Sequence, residues 1–225
     1  MLTSSYEKLP ECMKNEVVFS YYEMLYEKRV ALFFKRFFDI ILSLILIVIL
    51  LPLIIVIAIL IKLDSKGPIF YTQTRITKNL KEFHIVKFRT MYHNTNANDE
   101  MLTLASDNRI TRVGTKLRKL RLDEIPQLFN ILLGSMSFVG TRPEVVKYVK
   151  NYTPEMMATL LLVAGLTSKA SILFRNESEL LVSKSDIDRV YLKEILPTKM
   201  IHNLEYLRDY RFINDLKILF QTLFM

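Results

Sequence analysis

Two adjacent carboxylates, Asp123 and Glu124, follow a strongly basic segment of the chain. From Arg109 to Arg121 there are six lysines and arginines and no acidic residue. This excess of positive charge is larger than ion pairing with two carboxylates requires. It is typical of a site that neutralises a polyanionic ligand while a carboxylate carries out the chemistry. Pro126 follows at a position that suits the first turn of a helix, whose N–H groups would add positive charge near the pair.

A second interpretation of this segment needs no chemistry. Arg112, Lys116 and Lys119 fall at i, i+4 and i+7, which places them on one solvated face of a surface helix. Composition alone leaves both interpretations open.

The overall composition narrows the class of partner. The 225-residue chain has a formal net charge of +8 and an isoelectric point near 9.4, which indicates an anionic partner: nucleic acid, an anionic membrane or a phosphorylated substrate. The single cysteine, Cys12, excludes an internal disulfide and a cysteine-based zinc cluster. Five glycines without a glycine-rich loop argue against a Walker or Rossmann phosphate-binding loop. We expect no nucleic-acid partner, because the charge adjoins a long apolar segment and no recognition motif is present.

The apolar segment covers residues 40–61, in which Ser43 is the only polar residue. As one straight helix it would be about 33 Å long, which is enough to cross a membrane. Pro52 interrupts it by removing a backbone hydrogen bond. Both flanks are basic, with residues 35–36 before and residues 62 and 66 after. Because a single crossing places its positive excess on one side, these flanks favour a re-entrant helix that bends at Pro52 over a straight span.

Five further segments lie before and after this helix in the sequence. Residues 1–34 combine charges with an aromatic run, which favours an amphipathic interfacial helix, with a small packing appendage as the alternative. Alternation of apolar and polar residues predicts a β-hairpin, with strands at 69–76 and 83–90. Residues 92–108 are polar and predict a loop, and residues 125–133 predict an apolar helix that ends at Gly134. The apolar C-terminal segment 212–225 either closes the core, which we favour, or lies against the membrane.

The motifs resemble those of the bacterial sugar transferases, the monotopic polyprenyl-phosphate phosphoglycosyl transferases. The central match is LRLDEIPQLFNILLGSMSFVGTRPE at 120–144. Further matches are KRFFDI (35–40), KGPIFYTQTRI (66–76), KFRTM (87–91), DNRITRVGTKLR (107–118) and FRNE (174–177). Together they cover roughly residues 35–225. The chain departs from the family pattern at Leu51, Thr77, Thr141 and residues 163–168, where Ser, Gly, Pro and a Pro-Gly-Ile-Thr-Gly segment are usual.

The resemblance implies a predominantly helical α+β fold. We expect an N-terminal extension (1–34), a basic and aromatic flank with a re-entrant membrane helix (35–65) and a small cytosolic catalytic domain with interfacial helices (66–225). The implied location is the cytoplasmic face of the bacterial inner membrane, where the protein would contact lipid. Whether it forms a homodimer is left open.

The implied reaction transfers a sugar 1-phosphate from a UDP-sugar to polyprenyl (undecaprenyl) phosphate, with release of UMP. Asp123 would form an aspartyl phospho-sugar. Glu124 would act as a base, position the acceptor or support a Mg²⁺ ion held by the pair. The product would initiate synthesis of a lipid-linked glycan. Two alternatives remain: a lipid glycosyltransferase that releases UDP, and a catalytically inactive, basic membrane scaffold.

The resemblance also implies which cations bind phosphate. Arg118, Arg142 and Arg175 are the main candidates, because a guanidinium group offers a rigid fork to phosphate oxygens. Ion pairing of Arg175 with Glu177 or Glu179 is the alternative for that residue. The polar positions retained in the hairpin add three cationic candidates, Arg75, Lys87 and Arg89. Gln73 is also retained there, and strand surface or ion pairing is the alternative for each of these residues. Asp215 matches an acidic family position, with capping or an ion pair as its alternative.

Overall fold

The computed structural model describes residues 5–93, 108–175 and 187–224. Within these ranges it is mostly helical with two small sheets, which confirms the predicted α+β class. The helices are α1 (Glu16–Glu27), α2 (Arg29–Asp64), α3 (Arg112–Lys119), α4 (Gln127–Leu133), α5 (Val146–Val149), α6 (Lys169–Leu173), α7 (Ile187–Val190), α8 (Leu196–Arg208) and α9 (Phe212–Leu223). The strands are β1 (Phe70–Ile76), β2 (Glu82–Phe88), β3 (Met136–Val139) and β4 (Ala164–Thr167). Most of the predicted loop at 92–108 lies outside the described residues, as do Glu177 and Glu179.

The long apolar helix α2 continues through Pro52 as one element of 36 residues. By length and composition it can cross a membrane, and only 17% of its most apolar 18-residue window is buried. One side of α2 nevertheless faces the rest of the protein, with buried residues repeating every three to four positions. They are Leu32, Lys35, Asp39, Ser43, Ile54, Ile57 and Ile61. The two ends of this buried stripe lie on either side of Pro52.

Polar contacts attach the N-terminal half of α2 to the globular part. Lys35 forms a buried ion pair of 2.7 Å with Asp215 of α9. Arg36 donates to the carbonyls of residues 131 and 132 at the end of α4, at 2.6 and 2.8 Å. Asp39 accepts a hydrogen bond of 3.2 Å from the Phe138 N–H in β3. A buried charge is stabilised only when it is paired, so these contacts determine the position of α2.

The C-terminal end of α2 is attached as well. The Asp64 carboxylate accepts a hydrogen bond of 3.0 Å from the Val113 N–H at the start of α3. Phe88 of β2 packs against the last buried isoleucines of α2 in one apolar cluster. The same globular part therefore contacts both ends of the helix.

The N-terminal residues join the main core. Asn15 caps α1 by accepting a hydrogen bond of 2.9 Å from the Val18 N–H. Val18, Tyr21 and Leu25 of α1 are buried in a cluster that includes Tyr148 and residues of α8. This packing corresponds to the appendage that was the alternative for residues 1–34, and it leaves the other face of α1 exposed.

Each sheet has two strands. The antiparallel β1–β2 hairpin pairs Phe70 with Phe88 and Ile76 with Glu82, which confirms the hairpin predicted from alternation. The second sheet pairs β3 with β4 in parallel, and the sequence did not predict it. Gly165 permits this contact, since a Cβ atom there would lie 2.2 Å from the Gly140 nitrogen. The second sheet pairs Val139 with Thr167, so the segment that carries Arg142 begins beside the end of β4.

Candidate active site

The carboxylate pair lies on a tight turn between α3 and α4. Arg121 has a left-handed backbone (φ 57°) and is followed by a 3-10 turn, Leu122–Glu124. The left-handed conformation costs a non-glycine residue about 1–2 kcal/mol, so the surrounding structure must maintain it. The reversal directs Asp123 inwards, where only 8% of the residue is exposed. Pro126 then caps α4, and Gly134 ends that helix in the left-handed conformation, as predicted.

Two cations neutralise Glu124. Lys87 of β2 donates to Oε1 at 2.8 Å. Arg142 also donates to Oε1 through Nη2, while its Nη1 lies 3.4 Å from Oε2 and 3.2 Å from the Leu166 carbonyl. The ion triad of Lys87, Glu124 and Arg142 thus joins four segments: β2, the turn Arg121–Glu124 that carries the carboxylates (the candidate catalytic turn), the segment after β3, and β4.

The pKa of each member of the triad is shifted from its ordinary value. Burial alone raises the pKa of Glu124, but Arg142 and Lys87 outweigh burial and hold that pKa well below its ordinary value. Glu124 in turn raises the pKa of Arg142. Burial lowers the pKa of Lys87, although Glu124 counteracts it. At neutral pH the Glu124 carboxylate is therefore ionised and paired, and it is a poor proton acceptor.

Asp123 lies in a different environment. Among the residues that the structure describes, none donates a hydrogen bond to its carboxylate. Burial raises the pKa of Asp123, and the neighbouring Glu124 raises it further. The cations at positions 87, 118 and 121 lower that pKa only in part. The turn therefore holds one paired carboxylate and one that is available to a ligand.

Two other predicted arginines lie around this turn. Arg118 is close enough to act on the charge of Asp123, and its Nε donates to Thr90 Oγ1 at 2.8 Å. Arg75 donates to the Gln73 side chain and, at 3.1 Å, to the Pro143 carbonyl. Gln73 and Arg75 therefore support the loop that carries Arg142, while Arg118 adds charge beside Asp123.

Arg89 has a different set of partners. Its guanidinium group donates to the carbonyls of Ser65 (2.8 Å) and Lys66 (2.6 Å), just after α2. The residue is 5% exposed. These contacts occupy both terminal nitrogens, so Arg89 stabilises the end of α2. No hydrogen bond between described residues joins it to the carboxylate pair, and its role as a phosphate ligand stays a prediction.

The remaining predicted residues lie at the edges. The Arg175 carbonyl accepts a hydrogen bond of 3.3 Å from Arg121, which links the end of the described α6 segment to the catalytic turn. The alternative partners of Arg175 are not described. Asp215 pairs with Lys35 and accepts from Tyr206 at 2.8 Å, which is the ion-pair alternative predicted for it.

Two residues of the site were not singled out from the sequence. Arg121 lies two positions before Asp123, within electrostatic reach of it. Gln127 follows one turn later and is fully buried. Both residues lie close to the carboxylates in sequence, and this was the signal that could have identified them. The left-handed backbone of Arg121 and the burial of Gln127, however, depend on tertiary packing.

The described structure combines a long apolar helix with a carboxylate pair that lies among arginines and lysines. The sequence profile of the bacterial sugar transferase family matches residues 30–225, and the chain belongs to that family.

Several curated proteins are similar to the chain. It is 34% identical over 197 residues to "UDP-N-acetylgalactosamine-undecaprenyl-phosphate N-acetylgalactosaminephosphotransferase" of Aeromonas hydrophila, covering 86% of this chain and 44% of that protein. It is 34% identical over 196 residues to "UDP-glucose:undecaprenyl-phosphate glucose-1-phosphate transferase" of Escherichia coli K12, covering 84% and 39%. It is 33% identical over 210 residues to "Undecaprenyl-phosphate galactose phosphotransferase" of Salmonella typhimurium, covering 87% and 40%. The chain thus spans less than half the length of these relatives.

Proposed function

We propose that the chain transfers a sugar 1-phosphate from a UDP-sugar to undecaprenyl phosphate, with Asp123 as the temporary carrier. The contrast between the two carboxylates carries this proposal. Glu124 is neutralised by two cations, whereas the Asp123 carboxylate has no hydrogen-bond donor in the described part of the chain. The names of the relatives, which are phosphotransferases for glucose, galactose or N-acetylgalactosamine, support the substrate class.

In the first step a carboxylate oxygen of Asp123 attacks the phosphorus that bears the sugar. The bond from this phosphorus to the bridging diphosphate oxygen breaks, and UMP leaves with the electron pair. The sugar phosphate remains on Asp123 as an acyl phosphate. In the second step an oxygen of undecaprenyl phosphate attacks the same phosphorus, and Asp123 is released as a carboxylate. The product is an undecaprenyl diphospho-sugar, which would initiate a lipid-linked glycan.

The cations of the site reduce the repulsion between a carboxylate and a diphosphate. Arg118 and Arg121 supply positive charge next to Asp123, and Lys87 of strand β2 supplies more. Arg142 is held in place by Glu124, so its position is determined before substrate binds. A preorganised cation stabilises developing charge without reorganising in the reaction.

Glu124 has a positioning role in this proposal. Its lowered pKa and its two ion pairs make it a weak base. The acceptor needs no strong base, because a phosphate monoester has a second pKa of about 6 and is mostly ionised at neutral pH. We therefore infer that Glu124 orients Arg142 and Lys87.

A Mg²⁺ ion fits the site as a partner of both protein and substrate. In the described part of the chain no cluster of three or more Asp, Glu, His or Cys side chains can hold a metal. Mg²⁺ usually binds one or two carboxylates together with substrate phosphates. Asp123 offers such oxygens, whereas Glu124 is already paired with Lys87 and Arg142. When bound, the ion would screen the charge of the diphosphate.

We also propose that α2 is re-entrant and holds the site at the cytoplasmic face of the bacterial inner membrane. The contacts at both ends of α2 support this topology, because one globular part cannot reach both sides of a hydrocarbon core about 30 Å thick. Pro52 would mark the bend. The exposed Phe33, Phe34 and Phe37 follow two basic residues and suit the headgroup region.

Cysteine labelling tests the topology. In a Cys12→Ser background, single cysteines replace the exposed Val30 or Lys66, on either side of the apolar segment. A membrane-impermeant maleimide should label both from the cytoplasmic side in inside-out vesicles. Labelling from opposite sides would establish a simple span.

Product analysis tests the reaction. The protein is incubated with Mg²⁺, undecaprenyl phosphate and UDP-glucose, UDP-galactose or UDP-N-acetylgalactosamine. We expect UMP together with a mass gain of one phospho-sugar on wild-type protein, and neither with Asp123→Asn. Release of UDP would identify a glycosyltransferase, and unaltered product formation by Asp123→Asn would exclude the proposed carrier.

A further inference from the structure

Gln127 is the first residue of α4 and is 0% exposed. Neither Nε2 nor Oε1 of its side chain has a hydrogen-bond partner among the described residues. A buried amide without partners destabilises the folded state, whereas an apolar side chain of the same size would not. An amide at this position therefore needs a reason other than stability.

A neighbouring residue shows how this fold satisfies a buried amide. Asn130 lies three positions further along α4 and is also buried. Its Nδ2 donates to the His84 carbonyl at 2.8 Å, and its Oδ1 accepts from the Val86 N–H at 3.0 Å. Both ends of that amide are thus used by strand β2. Gln127, on the same helix, has no such partner in the described ranges of the chain, and its amide is available to another group there.

Two carboxylates lie within one turn of Gln127. The carbonyls of Leu122, Ile125 and Pro126 accept hydrogen bonds from N–H groups three residues further on, so tight turns of the 3-10 type connect the carboxylates with α4. Glu124 already accepts from Lys87 and Arg142. Asp123, four residues before Gln127, has no hydrogen-bond donor among the described residues. Four residues of a 3-10 turn advance the chain by only about 8 Å, which the Gln127 and Asp123 side chains can span together.

We propose that Gln127 is a positioning residue for Asp123, whose carboxylate accepts a hydrogen bond from its Nε2 in the working enzyme. The inference rests on the proposed function and specifies how the carrier is oriented. Rotation of the amide by 180° exchanges Nε2 with Oε1, so either orientation of this side chain can present the donor. Holding one carboxylate oxygen leaves the other directed at the phosphorus, which is the geometry that in-line attack requires.

Gln127→Met is the test variant, because methionine has a similar volume and removes only the polar atoms. Ser137→Ala is the matched control, since the Ser137 hydroxyl is also 0% exposed and unpartnered but lies on β3. Both variants should keep or raise the melting temperature, by up to about 4 °C, because each removes a buried polar group without a partner.

Steady-state UMP release with undecaprenyl phosphate separates the two variants. We expect Gln127→Met to lower kcat about tenfold to a hundredfold with KM for the UDP-sugar within about threefold of wild type, and Ser137→Ala to change neither. An unchanged kcat in Gln127→Met would overturn the proposal, as would a raised KM with unchanged kcat, since that would indicate substrate binding. If wild-type protein releases no UMP, the proposed function fails and the inference with it. Normal wild-type turnover with an unaffected Gln127→Met removes only the inference.

Discussion

The ion triad of Lys87, Glu124 and Arg142 can be tested by removing its only negative charge. Glu124→Gln preserves the shape of the side chain and leaves two cations facing each other. The side chains of Lys87 and Arg142 are 23% and 30% exposed, so water compensates them only in part. We therefore expect the variant to be less stable than wild type, although it also removes the unfavourable free energy of burying the Glu124 carboxylate.

The magnitude follows from the geometry. Two unit charges 2.8 Å apart, the distance from Lys87 to Glu124, attract by about 6 kcal/mol at an effective dielectric constant of 20. Desolvation offsets most of that attraction, and breaking a fully buried pair costs about 3–5 kcal/mol. Partial exposure reduces the expected loss for Glu124→Gln to about 2–3 kcal/mol. For a chain of this size the melting temperature should fall by about 4–12 °C.

A double-mutant cycle with Lys87→Met isolates the electrostatic contribution. In the wild-type background Glu124→Gln leaves two unpaired cations, but in the Lys87→Met background it leaves only Arg142. The loss of stability in that background should be smaller by at least about 1 kcal/mol, measured by thermal unfolding in detergent or nanodiscs. Additive effects, within about 0.5 kcal/mol, would refute the view that Glu124 organises both cations.

Three further predictions concern single positions. Asp123→Asn should raise the free energy of unfolding by about 1 kcal/mol at pH 7, because burial raises the pKa of this carboxyl and disfavours its ionised form. The gain should disappear below about pH 4, where the wild-type carboxyl is protonated even in the unfolded chain. A gain that persists below this pH in thermal scans would contradict burial as the cause. Arg89→Met should lower the free energy of unfolding by about 2–4 kcal/mol, because it leaves the carbonyls after α2 without donors, while KM for the UDP-sugar stays within about threefold of wild type. A large rise in KM with normal stability would instead identify Arg89 as a phosphate ligand. Thr77→Val should cost about 1–2 kcal/mol, because the hydroxyl donates to the Ser135 carbonyl at 2.8 Å and accepts from the Ala164 N–H at 3.0 Å; Thr77→Ser keeps the hydroxyl and should recover most of the loss of melting temperature.

The features predicted correctly from the sequence are mainly local. The β1–β2 hairpin follows from alternation within seven-residue strands joined by a short turn, and its pairing needs no distant residue. The end of α4 follows from Gly134, since a left-handed residue is favourable for glycine. The helical structure of residues 40–61 follows from their uncharged, apolar composition, whereas α2 extends beyond this run at both ends, from Arg29 to Asp64.

The features that the sequence did not predict depend on contacts between distant parts of the chain. The parallel pairing of β3 with β4 joins residues about 28 positions apart, and neither four-residue strand has a pattern that specifies its partner. Arg75 and Arg89 lie in the same hairpin and carry the same side chain. Only the path of the chain around them directs Arg89 to the end of α2 and Arg75 to the loop before Glu144.

Residue types and short spacings predict the chemical groups of the site, the basic segment and the long apolar helix. Tertiary packing pairs Glu124 with two cations, whereas no described residue donates a hydrogen bond to the Asp123 carboxylate. A carboxylate's protonation and availability depend on burial and on cations from distant parts of the chain, here Lys87 and Arg142. These cations reach the catalytic turn only when β2 and the segment after β3 pack against it.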